Sequence, residues 1–296
     1  MNVCAVIVTY NAMRWVDKSI SSLYCSTCPP DHVIVVDNSS SDGTPDHVAD
    51  CFREVEIVRM GTNAGFAAAA QAGIDRAVAS GGDAVLLMHH DVWLASGALE
   101  ALVACCSDDS LSVPVYMNGS GSGYETSFRP VIGRSCRLRR FLERGAGSST
   151  VKIHVKDVPS GCWFLPVGLI KETGPLNRIF TDAGSSAEEY LARMRYRSKK
   201  AYVVPGAIIF HDRDSYGDRT LFDVSSIYND LLLIECNPGS CALSRAAAKA
   251  LLFFRLVFLT VHYRVNLLSV YRDDLHRVKS LRCELKVGRK KYRSCR

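Results

Sequence analysis

The feature that most constrains the fold is a regular alternation of apolar runs and helical segments over residues 1–106. Val3–Val8 is a continuous apolar run, typical of a strand buried on both faces of a parallel sheet. Three similar runs follow at 33–36, 55–60 and 84–88, and segments with helical spacing or composition lie at 11–24, 46–52, 65–80 and 97–106. This order predicts an α/β fold with a doubly wound, mostly parallel sheet flanked by helices.

Polar clusters follow the first, second and fourth of these predicted strands. They are Thr9–Asn11, Asp37–Thr44 and His89–Asp91. Right-handed crossovers bring the carboxyl ends of parallel strands to one edge of a sheet, where ligands of such folds bind. The sequence therefore predicts a ligand site built from these three clusters.

The chemistry of the first two clusters suits a nucleobase. A carboxylate such as Asp37 can accept the imide N–H of uracil or thymine, and Tyr10 can pack on the ring; hydrogen bonding to a base edge gives specificity. In the alternative interpretation, Asp37 and Asp42 only cap turns or helices, a task that suits Asp, Asn and Ser.

The order of the motifs resembles glycosyltransferase family 2, whose members have the GT-A fold. The family pattern has a V-T-Y-N start, a V-D-N-x-S-x-D turn, an N-x-G segment and an Asp-bearing end of the fourth strand. The matching segments here are VIVTYNA at 6–12, VIVVDNSSSDGT at 33–44, TNAGFAAAAQAGI at 62–74 and LLMHHDVWL at 86–94. Weaker matches follow at Gly161–Pro166, in the E-Y-x-x-R segment Glu189–Arg193 and in Pro205–His211.

The resemblance implies which residues bind the nucleotide and donor. By position in the family motifs, these residues are Thr9, Tyr10, Asn11, Asp37, Asn38, Asp42, Asn63, Gly65 and His90.

A divalent cation is implied at the end of the fourth strand, where the family usually carries D-x-D. The triplet here is His89-His90-Asp91, so the first acid is replaced by a histidine. Mn²⁺ accepts imidazole and carboxylate together, whereas Mg²⁺ prefers oxygen ligands. His89, Asp91 and the late His211 then form a metal set for Mn²⁺ (or Mg²⁺). The alternatives are Asp91 as the sole ligand, or a site without an essential metal.

The sequence departs from the family pattern at the catalytic base. In the family, this acid lies two residues before the acid of E-Y-x-x-R, and here that position is Ala187. Inverting members need a carboxylate that deprotonates the acceptor hydroxyl. The candidates are Asp182, Glu188 and Glu189, and the alternative is that no base is present.

The resemblance implies an inverting, metal-dependent transferase that moves a sugar from a UDP- or dTDP-sugar to a glycan or lipid-linked saccharide in polysaccharide or cell-envelope biosynthesis. Members that transfer rhamnose or galactofuranose are the most similar. The alternative is a non-catalytic nucleotide- or glycan-binding protein that has lost its base. A nucleotidyltransferase is disfavoured, because Thr9–Ala12 is not the Gly-rich basic loop that such enzymes carry after the first strand.

Charge separates a tail from the body of the chain. Residues 240–296 hold 14 Lys and Arg against 3 Asp and Glu, a net charge of +11, whereas the remaining 239 residues hold 22 and 27, a net charge of −5. We expect a GT-A domain at 1–224, with a nucleotide half at 1–106 and an acceptor half at 107–224, and a helical basic extension at 225–296.

The tail suggests an anionic membrane surface as partner. The alternatives are packing on the catalytic domain or in a homodimer; nucleic acid is disfavoured, because no nucleic-acid-binding module is recognisable. The N-terminus has no basic region or cleavage pattern of a signal peptide, which predicts a cytoplasmic protein. The alternatives are a protein free in the cytoplasm and one that is peripheral on the inner face of the cell membrane.

Overall fold

The structure is a computed structural model that describes residues 1–145, 150–213, 225–263, 267–281 and 285. The chain divides into two compact units: one comprises 1–187 with 199–215, and the other comprises 188–198 with 216–296. The predicted domain boundary at 224 stays a prediction, and the last basic cluster of the tail, 286–296, lies outside the described residues.

The first unit contains the sheet. Nine strands are seen in the described residues, and they form one mixed sheet in the order β3-β2-β1-β4-β8-β6-β9-β5, with β7 paired to β9. The strands are β1 (Val3–Thr9), β2 (His32–Asp37), β3 (Glu56–Arg59), β4 (Ala84–His89), β5 (Val92–Leu94), β6 (Ser110–Asn118), β7 (Ile153–Val155), β8 (Cys162–Pro166) and β9 (Lys200–His211).

Helices connect these strands and continue beyond the sheet. They are α1 (Val16–Tyr24), α2 (Thr44–Cys51), α3 (Phe66–Ala79), α4 (Ala98–Ala104), α5 (Arg129–Arg134), α6 (Cys136–Glu143), α7 (Val167–Thr173), α8 (Ala183–Tyr196), α9 (Ser225–Cys236), α10 (Ala242–Tyr263) and α11 (Leu267–Ser280). The predicted α/β class with a helical C-terminal extension is confirmed. Among the residues that the structure covers, no helix is long and apolar enough to cross a membrane.

The predicted parallel core is the part β3-β2-β1-β4, in which all three pairings are parallel. Every residue of β1 is buried, which explains its unbroken apolar run. Parallel strands covered by helices on both faces have no solvent-facing side and so lack polar alternation.

Strand β6 has no counterpart in the sequence prediction. Its residues alternate serines with apolar side chains, and Pro114 interrupts the run. The β6–β9 pairing shifts register between Val113 and Val115, so the proline sits at an irregularity where its missing N–H is tolerated. Ser110 and Ser112 are buried, which runs against the usual preference of serine for the surface.

Helix α3 packs closely on the sheet through Gly73. A Cβ at this position would lie 2.3 Å from Cγ1 of Val6 and 2.9 Å from Cγ2 of Val36. Both valines are fully buried β-branched side chains with little freedom to rotate away. Helix α3 therefore lies nearer to β1 and β2 than an alanine would allow.

We expect Gly73→Ala to destabilise the protein by about 1–3 kcal/mol, because overpacking outweighs the gain in helix propensity. The midpoint of urea unfolding measures the change. Gly61→Ala is the matched control, since a Cβ there meets no atom within 4 Å. Equal midpoints for the two variants would contradict the close packing of α3.

The second unit is a helical cluster. Its apolar core is formed by side chains from α9, α10 and α11, and Arg277 lies 4.2 Å over the ring of Tyr228. Glu235, 6% exposed, pairs with Arg245 and Lys249, so its charge is compensated. The buried core residues of these helices are Ile227, Leu231, Leu232, Cys236, Leu252, Leu256, Leu267, Tyr271 and Val278.

Candidate functional site

The ends of β1, β2 and β4 meet at one edge of the sheet. Thr9 is in register with Asp37, and Val8 is in register with His89. The Thr9 hydroxyl donates to Oδ1 of Asp37 at 3.1 Å, and both side chains are buried. The structure thus brings together the three polar clusters that the sequence places after strands.

Asp37 is held by its neighbours. Besides Thr9, the Ser40 hydroxyl donates to Oδ1 at 2.5 Å and the Ser40 backbone N–H donates to Oδ2 at 3.0 Å. A carboxylate has about four lone-pair sites, so these three donors fix its orientation and leave capacity for one more. The turn-capping interpretation of Asp37 therefore describes real contacts and is compatible with binding a base N–H.

Asn11 and Asp42 join the loops after β1 and β2. Asn11 adopts a positive φ of 49° and accepts a hydrogen bond from the Ser41 N–H at 2.9 Å. Asp42 accepts from the N–H groups of Met13, at 3.1 Å, and Thr44, at 3.0 Å. Desolvation raises the pKa of Asp42, but the hydrogen bonds from Thr44 and Met13 outweigh it and hold that pKa below its ordinary value. Tyr10, which precedes Asn11 in the loop after β1, is 45% exposed.

A second set of contacts links the β2 loop to the start of α3. The Asn38 amide donates to Oδ1 of Asn63 at 2.9 Å and accepts from the Ala64 N–H at 3.0 Å. Gly65 has a φ of 82°, and a Cβ there would lie 2.7 Å from Cα of Thr181. Only glycine fits this backbone and this approach, which accounts for the glycine of the N-x-G segment.

The predicted metal residues form a cluster at the end of β4. One ligand atom from each of His89, Asp91 and His211 lies within 4.8 Å of the others. Nε2 of His211, at the end of β9, is 3.4 Å from Oδ2 of Asp91, and these two residues are buried. Three buried polar atoms of the cluster have no hydrogen-bond partner in the described part of the chain: His89 Nε2, Asp91 Oδ1 and His211 Nδ1.

The protonation states favour a cation. Burial lowers the pKa of His89 to about 3, so its imidazole is neutral and carries a free lone pair at neutral pH. Burial alone would raise the pKa of Asp91, but the hydrogen bond and charge of His211 and the other imidazoles hold it well below its usual range. Two imidazoles and an ionised carboxylate fit Mn²⁺ better than Mg²⁺.

His90 points to a different environment from His89. Its Nδ1–H donates to the Val8 carbonyl at 3.2 Å, and its ring lies 5.5 Å from the ring of Trp15. The Trp15 indole donates to Asp212 at 2.8 Å, which ties the segment before α1 to the end of β9. His90 thus contacts the end of β1 and the segment before α1, and it adjoins the predicted metal residues His89 and Asp91 in sequence.

The structure adds neighbours of the metal cluster that the sequence did not single out. Phe66 packs edge-on against His89 at 4.7 Å. Gly161 leaves room for His211, because a Cβ there would lie 3.1 Å from its Cε1. Glu125, with its side chain fully buried, has Oε2 4.0 Å from Nδ1 of His211. Glu125 follows the unpredicted strand β6, in a segment without a recognisable hydrophobic period.

Glu125 is expected to orient His211 as a metal ligand. A carboxylate beside the distal nitrogen of a ligating histidine raises its basicity and fixes its ring. We expect Glu125→Gln to weaken Mn²⁺ affinity by about 10- to 100-fold, measured by isothermal titration. Glu100→Gln is the control, because Glu100 lies on α4 and accepts from Thr27 at an exposed site. Unchanged Mn²⁺ affinity would remove Glu125 from this role.

The three candidate bases have different surroundings. Asp182, in the first unit, accepts from the Ser185 N–H at 2.7 Å and so caps the start of α8. Glu189, in the second unit, pairs with Arg193 at 2.9 Å, and both side chains are 1% exposed. Glu188 is exposed and lines a cavity of about 480 Å³ within the second unit.

Asp182 also has a structural link to the metal cluster. The carbonyl of the preceding residue, Thr181, accepts from the Phe66 N–H at 2.8 Å. The ring of Phe66 in turn packs on His89. Asp182 therefore follows a segment that is fixed to the start of α3, beside the predicted metal site.

A parallel core extended by strands of mixed direction, with polar loops at the carboxyl ends of β1, β2 and β4, agrees with the GT-A fold that the motifs predict. The chain belongs to glycosyltransferase family 2: residues 4–174, more than half of its length, match the family described as Glycosyl transferase family 2. The predicted family is thereby confirmed.

Curated and solved relatives agree with this assignment. An N-acetylglucosaminyl-diphospho-decaprenol L-rhamnosyltransferase of Mycobacterium tuberculosis is 29% identical over 110 residues, which is 34% of this chain and 36% of that enzyme. The match thus spans about a third of this curated relative.

The solved structures share the fold at low identity. S. aureus TarS 1–349 in complex with UDP-GlcNAc has a TM-score of 0.60 at 16% identity, covering 100% of this chain and 89% of that one. GalNAc-T7 with UDP, GalNAc and Mn²⁺ has a TM-score of 0.58 at 15% identity, covering 80% and 48%.

Proposed function

We propose that this protein is an inverting glycosyltransferase that transfers a sugar from a UDP- or dTDP-sugar to a glycan or lipid-linked saccharide. The observation that carries the proposal is the His89, Asp91 and His211 cluster at the sheet edge that also holds Thr9 and Asp37. One edge of the sheet then offers ligand atoms for a cation and, in Asp37, a carboxylate that can bind a nucleobase.

The nucleoside is assigned to the loops after β1 and β2. Asp37 accepts the imide N–H of uracil or thymine through its remaining lone pair, and the exposed Tyr10 ring packs on the base. Hydrogen bonds and the close approach of Gly65 to Thr181 hold these loops in place. The other residues that take part are Asn11, Asn38, Asp42 and Asn63.

The diphosphate is assigned to the end of β4. His89, Asp91 and His211 would hold Mn²⁺, which when bound supplies positive charge to the diphosphate. His90, fixed by Val8 and Trp15, borders the same region. Burial of Asp91 and His211 reduces competition from water for these ligand atoms.

Asp182 is proposed as the base. Its carboxylate takes the proton of the acceptor hydroxyl while that oxygen bonds to the anomeric carbon and the nucleoside diphosphate leaves. Its support is the contact between Thr181 and the start of α3. The buried ion pair with Arg193 disfavours Glu189, because this pair stabilises its ionised form and encloses it.

The acceptor is proposed to be lipid-linked, in cell-envelope or polysaccharide synthesis. The mycobacterial relative is named for L-rhamnosyl transfer and for N-acetylglucosaminyl-diphospho-decaprenol, a lipid-linked sugar. TarS 1–349 is seen with UDP-GlcNAc. These names support a sugar transferred onto an envelope glycan, with rhamnose as the first donor sugar to test.

A non-catalytic nucleotide-binding protein on the same fold is the second candidate function. It is favoured by Ala187 at the usual position of the base and by the helix-capping contact of Asp182. Such a protein would bind the nucleotide with Mn²⁺ but would neither transfer nor hydrolyse the donor.

Nucleotide binding tests the first half of the proposal. Isothermal titration with UDP, dTDP and GDP, each with and without Mn²⁺, is expected to show UDP or dTDP binding at least about tenfold tighter than GDP, and only with Mn²⁺. Transfer from UDP- and dTDP-sugars to a lipid-linked saccharide then separates the enzyme from the non-catalytic candidate. Equal binding of all three nucleotides would contradict the role of Asp37.

A further inference from the structure

Helix α10 carries a stripe of large apolar side chains that the second unit leaves exposed. Leu243 is 79% exposed, Leu251 is 72% exposed, and Phe254 and Phe258 are each 67% exposed. At 100° per residue, these four positions fall within an arc of about 80° and extend over roughly 22 Å of helix. They form one continuous face, which we call the α10 stripe.

The α10 stripe is distinct from the face with which α10 packs in its own unit. Leu252 is 8% exposed and Leu256 is fully buried, and both lie on the opposite side of the helix. Lys249 and Arg245 on that side pair with Glu235. Helix α10 therefore has one apolar face that packs in the core of the second unit and a second apolar face that is exposed. Exposed apolar patches of this kind mark interaction sites.

The charge around the α10 stripe identifies the kind of surface. Arg255 is exposed and lies about 40° beyond Leu251 around the helix, at the border of the stripe. Residues 240–296 carry a net charge of +11, and six of their 14 Lys and Arg lie in 286–296, which holds no acid. A partner must accept both apolar side chains and a high density of positive charge.

We propose that the α10 stripe docks into the headgroup region of an anionic lipid bilayer, with the helix lying in the plane of the membrane. Leucine and phenylalanine side chains enter the acyl boundary, while Arg255 binds lipid phosphate and the net positive charge of residues 240–296 favours an anionic surface. Two copies of this chain would bring +11 against +11, so like charges oppose self-association. Nucleic acid would satisfy the charge and leave the stripe in water.

This inference does not depend on the proposed function, because it rests on residues of the second unit and needs no donor, metal or base. It adds a proposed location for the protein, the surface of an anionic membrane. A transferase held at an anionic bilayer would meet a lipid-linked acceptor by diffusion in two dimensions.

Vesicle flotation of the full chain tests the proposal. We expect the protein to float with phosphatidylcholine vesicles that contain phosphatidylglycerol and to remain free with phosphatidylcholine alone. Bound protein should decrease with added salt, since screening weakens the headgroup contacts. The combined Leu251→Ser, Phe254→Ser and Phe258→Ser variant should lose at least about tenfold in vesicle affinity.

Two controls keep the test specific. Ile208→Ser removes an exposed apolar side chain, 38% exposed, from the first unit and should leave flotation unchanged. Arg255→Gln keeps the apolar stripe and should weaken binding to anionic vesicles. It tests the role of α10 in membrane binding even if the combined variant fails to fold.

Three outcomes would overturn the proposal. The first is absence of flotation by the unmodified protein with anionic vesicles. The second is equal flotation of the unmodified protein and a folded combined variant. The third is light scattering that shows a dimer in the unmodified protein and a monomer in the combined variant, which assigns the stripe to a second copy.

Discussion

An Asp91→Asn variant is expected to lose Mn²⁺ binding by at least about 100-fold, and with it donor turnover by about 10²- to 10³-fold. Asn has nearly the same shape as Asp, so the change removes the charge and little packing. Asp91 is the only acid of the three clustered ligand residues, and its depressed pKa keeps it ionised at neutral pH. The remaining candidate ligands are then two neutral imidazoles, and no candidate ligand atom carries negative charge.

Asp83→Asn is the matched control for this variant. Asp83 directly precedes β4, at the edge opposite to Asp91, and its carboxylate accepts from the Asn2 N–H at 2.7 Å. An amide oxygen can accept the same bond, so Mn²⁺ binding and turnover should be unchanged. If Asp91→Asn retained full Mn²⁺ affinity, the metal site would have to be elsewhere in the chain.

An Asp182→Asn variant is expected to lower kcat by about 10²- to 10⁴-fold while nucleotide binding stays within about twofold of the unmodified protein. Asn caps helices about as well as Asp, so the contact with the Ser185 N–H is retained. The substitution therefore separates the two roles of this side chain: the cap remains, and the proton acceptor is lost. Single-turnover transfer from the donor measures the rate.

Glu188→Gln and Glu189→Gln are the comparison variants for the base. Glu188→Gln should leave kcat close to that of the unmodified protein. Glu189→Gln removes the charge partner of the buried Arg193, so it should lower stability, with a loss of activity that follows the unfolded fraction. Unchanged turnover in Asp182→Asn together with loss in Glu188→Gln would move the base to the second unit.

The parallel core could be predicted from the sequence because strands buried on both faces have unbroken apolar sequences. Val3–Val8 and the later runs have no polar alternation, and short connections between strands and helices leave few topologies. The order of the motifs predicted that Thr9, Asp37 and His89 lie at one edge of the sheet. The register of β1 with β2 and β4 places them there.

The second half of the first unit was harder to predict. In strand β6 the alternation of serine and apolar residues lasts only four residues before Pro114 interrupts it, which is too short to predict a strand. Glu125 is fully buried, with the Ser127 N–H donating to its Oε1 and His211 beside its Oε2, and no local pattern encodes the contact with His211. Long-range pairs such as Trp15 with Asp212 likewise depend on the finished fold.

The most direct test of the account is a crystal of the protein soaked with UDP and Mn²⁺. We predict an anomalous manganese peak ligated by His89, Asp91 and His211, and a uracil ring within hydrogen-bond distance of Asp37. The same crystal would show whether Asp182 faces the diphosphate of UDP. A manganese peak remote from Asp91, or a nucleotide bound away from the β1 and β2 loops, would contradict the proposed site.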